Sequence, residues 1–234
     1  MDQVREKPWL AHYDPGVPPE IQVPDIPLWR FLEESARRFP QNVALEFLGK
    51  TLSYQELWGL ARRFAQGLKD LGVRPGDRVA IMLPNSPQFV IAFYGTLLAG
   101  GVGVNVNPLY TPRELRHQLA DAGAETLVIL DHLLPRYLEV EKEVPVKRVV
   151  VTGIKDFLPF PKNLLYPLKA KRDGLPLGFP KREGFHAFAE LLKRPPAEPH
   201  VPDPEDLALL QYTGGTTGLS KGAMLTHKNL VANV

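Results

Sequence analysis

The run Thr213-Gly214-Gly215-Thr216-Thr217-Gly218-Leu219-Ser220-Lys221-Gly222 holds four glycines, three threonines and one lysine in ten residues, directly after the apolar stretch Leu207 to Tyr212. Those residue types suit a polyphosphate. Glycine lets the backbone take positive φ and come close to a ligand. Successive N–H groups in such a turn can converge on one concave anion site. Threonine hydroxyls add donors, and lysine supplies a compact positive charge. A plain flexible connector would need neither the threonines nor a lysine at the mouth of an apolar strand.

The spacing excludes the Walker A loop. That motif has Gly directly before its Lys and Ser or Thr directly after, whereas Ser220 precedes Lys221 and Gly222 follows it. The absence of cysteine excludes disulfides, thiolate metal sites and a Cys nucleophile, and fits a reducing cytoplasm. A net charge of +2 is too balanced to argue for nucleic acid as a partner. Of the six histidines, His12, His117, His132, His186 and His200 show no metal-ligand spacing and are expected to be solvated.

The elements that must position this loop are legible as apolar runs. Strands are expected at Val43 to Phe47, Arg78 to Leu83, Val102 to Val106, Thr126 to Leu130, Arg148 to Thr152 and Leu207 to Tyr212. Most are continuously apolar, as strands buried on both faces of a parallel sheet must be. Helix starts lie between them. Ser53 with Glu56, Ser86 with Pro87, and Thr111 with Pro112 and Glu114 are cap patterns. Alternating strands and helices imply an α/β fold, with mainly parallel sheets flanked by helices. No Asp, Glu, Lys or Arg occurs from Val79 to Pro112, but prolines and glycines break that stretch, so it is expected as strand, helix and strand rather than a membrane span.

The alternation is expected to stop at Gly153. Residues 154–204 hold 10 of the 24 prolines, and Lys155 to Arg194 holds nine Lys/Arg against four Asp/Glu. This stretch reads as a surface excursion with its apolar side packed on the domain, or as a basic, aromatic-bearing patch at 155–172 that touches a membrane surface. The expected organisation is an N-terminal arm at 1–26, an α/β subdomain at 27–153, the excursion at 154–204, and a strand, phosphate loop and start of a helix at 205–234.

Tyr212-Thr213-Gly214-Gly215-Thr216-Thr217-Gly218-x-x-Lys221-Gly222 resembles the signature loop of the adenylate-forming (AMP-binding) superfamily. Gly214, the flanks Leu210-Gln211 and Ala223 to Leu230, the stretch Asp156 to Pro167, and the patterns Thr51 to Leu57 and Gly76 to Pro87 are similar to those of long-chain fatty acid–CoA ligases. The resemblance covers nearly the whole chain. It implies the N-terminal part of the large domain of that fold, and a two-step reaction using ATP, Mg²⁺ and coenzyme A. A fatty acid carboxylate attacks the α-phosphate, and coenzyme A then displaces AMP. Residue by residue, it implies phosphate binding by Thr213, Gly214, Gly215, Thr216, Thr217, Gly218 and Lys221. It also implies approach of Thr213 to Mg²⁺, and catalytic roles for Lys221 and His227. The competing reading of His227 is a histidine at a helix start capped by Thr226.

A cytoplasmic protein is expected, with peripheral contact at the inner face of the membrane through 155–172, and a homodimer at full length. Because Val234 falls inside an apolar helical pattern, the chain is expected to be less than half of an enzyme and inactive alone. Two alternatives remain open at this level. One is a different adenylate-former acting on aryl or amino acids. The other is a non-enzymatic chain that binds a membrane surface or a partner.

Overall fold

The computed structural model describes residues 7–213 and 220–234. After a short 3₁₀ turn, helix α1 (Arg30–Arg38) leads into an antiparallel hairpin of β1 (Val43–Phe47) and β2 (Lys50–Ser53). There follow α2 (Tyr54–Asp70), β3 (Arg78–Met82), α3 (Pro87–Ala99), β4 (Val102–Asn105), α4 (Pro112–Ala122) and β5 (Thr126–Leu130). Then come α5 (Leu134–Leu138), β6 (Arg148–Thr152), α6 (Lys162–Arg172), β7 (Phe185–Ala187), α7 (Phe188–Leu191), β8 (Leu207–Thr213), β9 (Lys221–Thr226) and α8 (His227–Val231). The main sheet has the order β7-β6-β5-β3-β4-β8-β9; β3 to β8 all run parallel and only β9 is antiparallel.

The helices begin where their caps require. Ser53 and Thr111 each close a reciprocal capping box, with Glu56 and Glu114 respectively. Ser86 accepts from the Phe89 N–H ahead of a first-turn proline. Gly100 ends α3 at φ 88°, a left-handed conformation that glycine adopts at little cost.

The sheet core is continuous. Every residue of β5 and all but the first of β3 are buried. The uncharged stretch Val79 to Pro112 is therefore strand, helix and strand, and among the described residues no helix is long and apolar enough to cross a membrane. Close approach of α3 to α2 depends on Gly95. A Cβ there would meet Phe64 Cδ1 at 2.7 Å and the Ala61 carbonyl oxygen at 3.0 Å. Overpacking costs about 1–3 kcal/mol, against about 1 kcal/mol gained from the helix propensity of alanine. Gly95→Ala is therefore expected to lower stability by a net of about 1 kcal/mol, read as a lower urea midpoint.

Two expectations are corrected. Val43–Phe47 does not join the parallel sheet; it pairs with β2 in a separate hairpin, because none of its residues is fully buried. Nor does regular structure stop at Gly153. Helix α6 forms there, β7 adds a strand to the edge of the main sheet beside β6, and Phe188 and Leu191 of α7 enter the core.

Candidate functional site

β8 is threaded between β4 and β9, with Ala208, Leu209 and Leu210 buried. It ends at Thr213 on the same sheet edge as the C-terminal ends of β3, β4, β5 and β6. In parallel α/β sheets this edge is where ligands bind. The register pairs Gln211 with Ala223, Tyr212 with Gly222, and Thr213 with Lys221. The glycine- and threonine-rich run is thus the connection of a β-hairpin. Gly214, Gly215, Thr216, Thr217 and Gly218 lie outside the described residues. Thr213 and Lys221 face each other across its root, both exposed. Cross-strand partners hold their Cβ atoms about 5 Å apart. The Lys221 side chain makes no ion pair or hydrogen bond with the described residues.

Helix α4 buttresses the hairpin. On the β8 arm the buried Tyr212 hydroxyl donates to Asp121 Oδ2 at 2.5 Å. Burial, then the hydrogen bond and charge of Asp121, push the phenol well above its usual range, so it stays a donor. On the other arm His117 Nε2 lies 3.2 Å from the Ser220 carbonyl oxygen. A carbonyl only accepts, so this nitrogen carries the ring proton. Beneath them, Gln118 donates to the Asn105 carbonyl at 2.7 Å, and Asn105 Nδ2 donates to Gln211 Oε1 at 3.0 Å. These contacts fix the ends of β4 and β8 together. The side-chain oxygens of Asn105 and Gln118 find no partner among the described residues.

Gly222 is required by Tyr212. A Cβ at Gly222 would lie 2.9 Å from Tyr212 Cε2. Gly222→Ala is expected to push the ring off the strand, weaken its bond to Asp121, and lower stability by about 1–2 kcal/mol. Thermal melting of the variant beside wild type measures this.

Sequence reasoning missed Asn105, His117, Gln118, Asp121 and Gln211. One signal was present: Gln118 is a polar residue within the inner stripe formed by Leu115 and Leu119, and it is fully buried. The expectation of solvated histidines holds for His12; His117, His132, His186 and His200 are partly buried.

The structure does not bring His227 to the loop. It follows Thr226, whose partner Leu207 is at the opposite end of β8 from Thr213. At about 3.3 Å per residue, the length of β8 puts His227 roughly 20 Å from Lys221. The resemblance gave both residues catalytic roles; the register sets them at opposite ends of β8. Thr226 does cap α8, accepting from the Asn229 N–H at 3.1 Å. His227 is 2% exposed, and its Nδ1 accepts the Leu28 N–H at 3.2 Å. Burial lowers its pKa to about 4, with Asp206 opposing and His200 adding to the shift.

Thr213 is the one candidate metal ligand within the described residues, and no group of three or more His, Cys, Asp or Glu among them could hold a metal. A single hydroxyl fits Mg²⁺ only where substrate phosphates and water complete the shell.

The glycine- and threonine-rich connection lies at the C-terminal edge of a parallel sheet, and the chain belongs to the family described as "AMP-binding enzyme", which matches residues 32–234. Within that family it is similar to the long-chain-fatty-acid–CoA ligase of Bacillus subtilis (strain 168), at 44% identity over 97% of this chain and 41% of the relative. The Escherichia coli O157:H7 protein of the same name is 40% identical over 98% of this chain and 42% of the relative. A 4-coumarate-CoA ligase 1 from Narcissus pseudonarcissus is 34% identical over 92% of this chain and 36% of the relative. Among solved structures, a long-chain-fatty-acid-CoA ligase from Archaeoglobus fulgidus matches with a TM-score of 0.75 and 29% identity, covering 94% of this chain and 40% of that one. The fold is the N-terminal portion of an adenylate-forming enzyme domain, and the chain spans about 41% of the length of the first of these relatives.

Proposed function

We propose that this chain supplies the ATP-polyphosphate site of a long-chain fatty acid–CoA ligase. The observation that carries the reading is the pairing of Thr213 with an exposed Lys221 at the root of the glycine- and threonine-rich connection. A carboxylate oxygen of the fatty acid attacks the α-phosphorus of ATP, and the bond to the departing pyrophosphate breaks. The thiolate of coenzyme A then attacks the acyl carbon and AMP leaves. The carboxylate is already ionised at neutral pH, so the first step needs no general base. It needs neutralised charge and alignment. Lys221 supplies a positive charge for the pyrophosphate. Thr213, Thr216 and Thr217 supply hydroxyls, and Gly214, Gly215 and Gly218 let backbone N–H groups close on the phosphates. Mg²⁺, when bound with the nucleotide, would add charge neutralisation, with Thr213 as the neighbouring protein oxygen. His227 takes no part in this set; it holds the N-terminal segment through Leu28.

The activity belongs to a protein of the relatives' full length, and the 234-residue chain is not expected to turn over alone. ATP–pyrophosphate exchange measured on the full-length ligase, with palmitate, benzoate, 4-coumarate and amino acids as acceptors, tests the substrate class. Palmitate is expected to support the fastest exchange. Faster exchange with an aryl or amino acid would replace the fatty acid reading, and the likeness to a 4-coumarate–CoA ligase makes that the comparison to run first.

A further inference from the structure

Helix α6 presents apolar residues to both sides. Ala170 is buried against the domain, while Leu164, Leu165 and Leu168 are 64%, 58% and 69% exposed, and Phe160 just ahead of the helix is 78% exposed. At 3.6 residues per turn the three leucines share one outward arc of about 100°. On the same wheel Lys171 falls on one margin of that arc, and Lys169 and Lys162 fall on the other. No acidic residue occurs from Lys162 to Arg172, and Asp173 just beyond it pairs with Arg172 at 3.4 Å, leaving Lys169 and Lys171 as the stripe's unpaired charges among the described residues. The tip of the β1–β2 hairpin adjoins this helix: Lys162 Nζ donates to the Leu48 carbonyl at 2.9 Å, and the Leu48 side chain is itself exposed. Between hairpin and helix lies a cavity of about 330 Å³, whose walls include Leu48, Leu158, Leu165, Tyr166 and Lys169.

The chemistry of this face selects its occupant. Protein interfaces are depleted in lysine, whereas four basic side chains lie on or beside this apolar stripe. A bilayer boundary asks for the opposite arrangement, with leucine and phenylalanine toward the acyl chains and lysine stems reaching sideways to anionic headgroups. We propose that α6, Phe160 and Leu48 seat this protein on an anionic membrane surface. Phe160, Leu164, Leu165 and Leu168 enter the headgroup–acyl boundary, and Lys162, Lys169, Lys171 and Arg172 meet lipid phosphates. The attachment is peripheral, and the cavity beside it shares Leu165 and Lys169 with the docking face.

Vesicle flotation of the chain tests this without ATP, so its outcome leaves the ligase reading to stand or fall separately. Wild type is expected to float with phosphatidylcholine vesicles containing about a quarter phosphatidylglycerol, and to lose binding as salt rises. Leu164→Glu/Leu168→Glu should lower binding by more than about tenfold. Lys169→Gln/Lys171→Gln/Arg172→Gln should lower it by roughly a hundredfold at low salt, since each charge is worth about fivefold. Lys142→Gln/Lys193→Gln, which removes two exposed lysines elsewhere, should bind as wild type does. Circular dichroism confirms that each variant is folded; if the glutamate pair is not, the triple glutamine variant decides. No flotation of wild type, equal flotation of all variants, or binding indifferent to phosphatidylglycerol would overturn the proposal. So would a wild-type dimer that Leu164→Glu/Leu168→Glu makes monomeric without any change in flotation.

Discussion

Lys221→Ala is expected to slow fatty-acid-dependent ATP–pyrophosphate exchange by about a hundredfold in the full-length ligase, the scale on which a single group stabilising transition-state charge acts. The same change should leave stability within roughly 0.5 kcal/mol of wild type. That separation follows from where the residue sits. Lys221 is exposed at the first position of β9, opposite Thr213, and its side chain has no ion pair or hydrogen bond with the described residues. Its removal therefore costs the fold little, and any lost rate reports on the ligand. Lys221→Arg keeps the charge but replaces a compact ammonium with a broad planar fork, so it should recover only part of the rate. Unchanged exchange in Lys221→Ala would take this residue out of the site.

The second large effect is on stability and concerns His227. In the unfolded chain this imidazole takes up a proton near its ordinary value of 6.5, whereas in the folded chain burial delays protonation to about 4. Between these values the unfolded state binds more protons, so stability falls as the pH is lowered through that window and levels off below it. The loss due to His227 is expected to reach about 3 kcal/mol at most. His186 is also depressed, by burial and then by Arg148, and adds to the slope. The carboxylates of Glu56 and Glu114, held down by their cap donors, lose their contributions only as the pH falls below their usual value of 4.5, so they touch only the foot of this window. His227→Gln keeps an acceptor for the Leu28 N–H and removes the titration. Its urea-derived stability should cost about 1–2 kcal/mol at pH 7 and depend less on pH than that of wild type. Identical slopes for the two proteins would refute this account. Folded His227→Gln should also retain near-normal exchange, in contrast to Lys221→Ala.

The contrast between these residues marks what a linear sequence can and cannot reveal. Lys221 and His227 stand six positions apart in one motif, and the family resemblance gave both of them catalytic roles. An extended strand separates them instead, because β9 carries the chain back along β8. That strand was hidden by the loop motif, since Lys221 and Gly222 read as part of the loop. The central strands were legible because burial on both faces leaves an unbroken apolar run, as in β5. The short edge strands β2 and β7 were not, having four and three residues and no run to detect. Helices α2, α3 and α4 were announced by their caps. Helix α6 was not, because it carries Pro167 and shows apolar residues on both sides, which cancels its periodicity. At the site, the glycine and threonine loop was plain from composition. Its support by Tyr212–Asp121, His117–Ser220 and Gln118–Asn105–Gln211 depends on α4 lying across strands more than ninety positions away for the first two pairs, and no local pattern encodes that.

The strand order has a consequence for how this protein is made. β4 receives β3 at one side, but its other side waits for β8, and the paired Asn105 and Gln211 are 106 positions apart. At roughly 5–20 residues per second, a ribosome needs about 5–20 s to deliver that partner. During this interval the nascent chain can assemble β3, β5 and β6 while one margin of β4 remains an open template for stray strands. The segment that brings Thr213 and Lys221 is thus also the one that closes the growing sheet, and slow or interrupted translation beyond Asn105 should expose the emerging polypeptide to chaperones and misassembly.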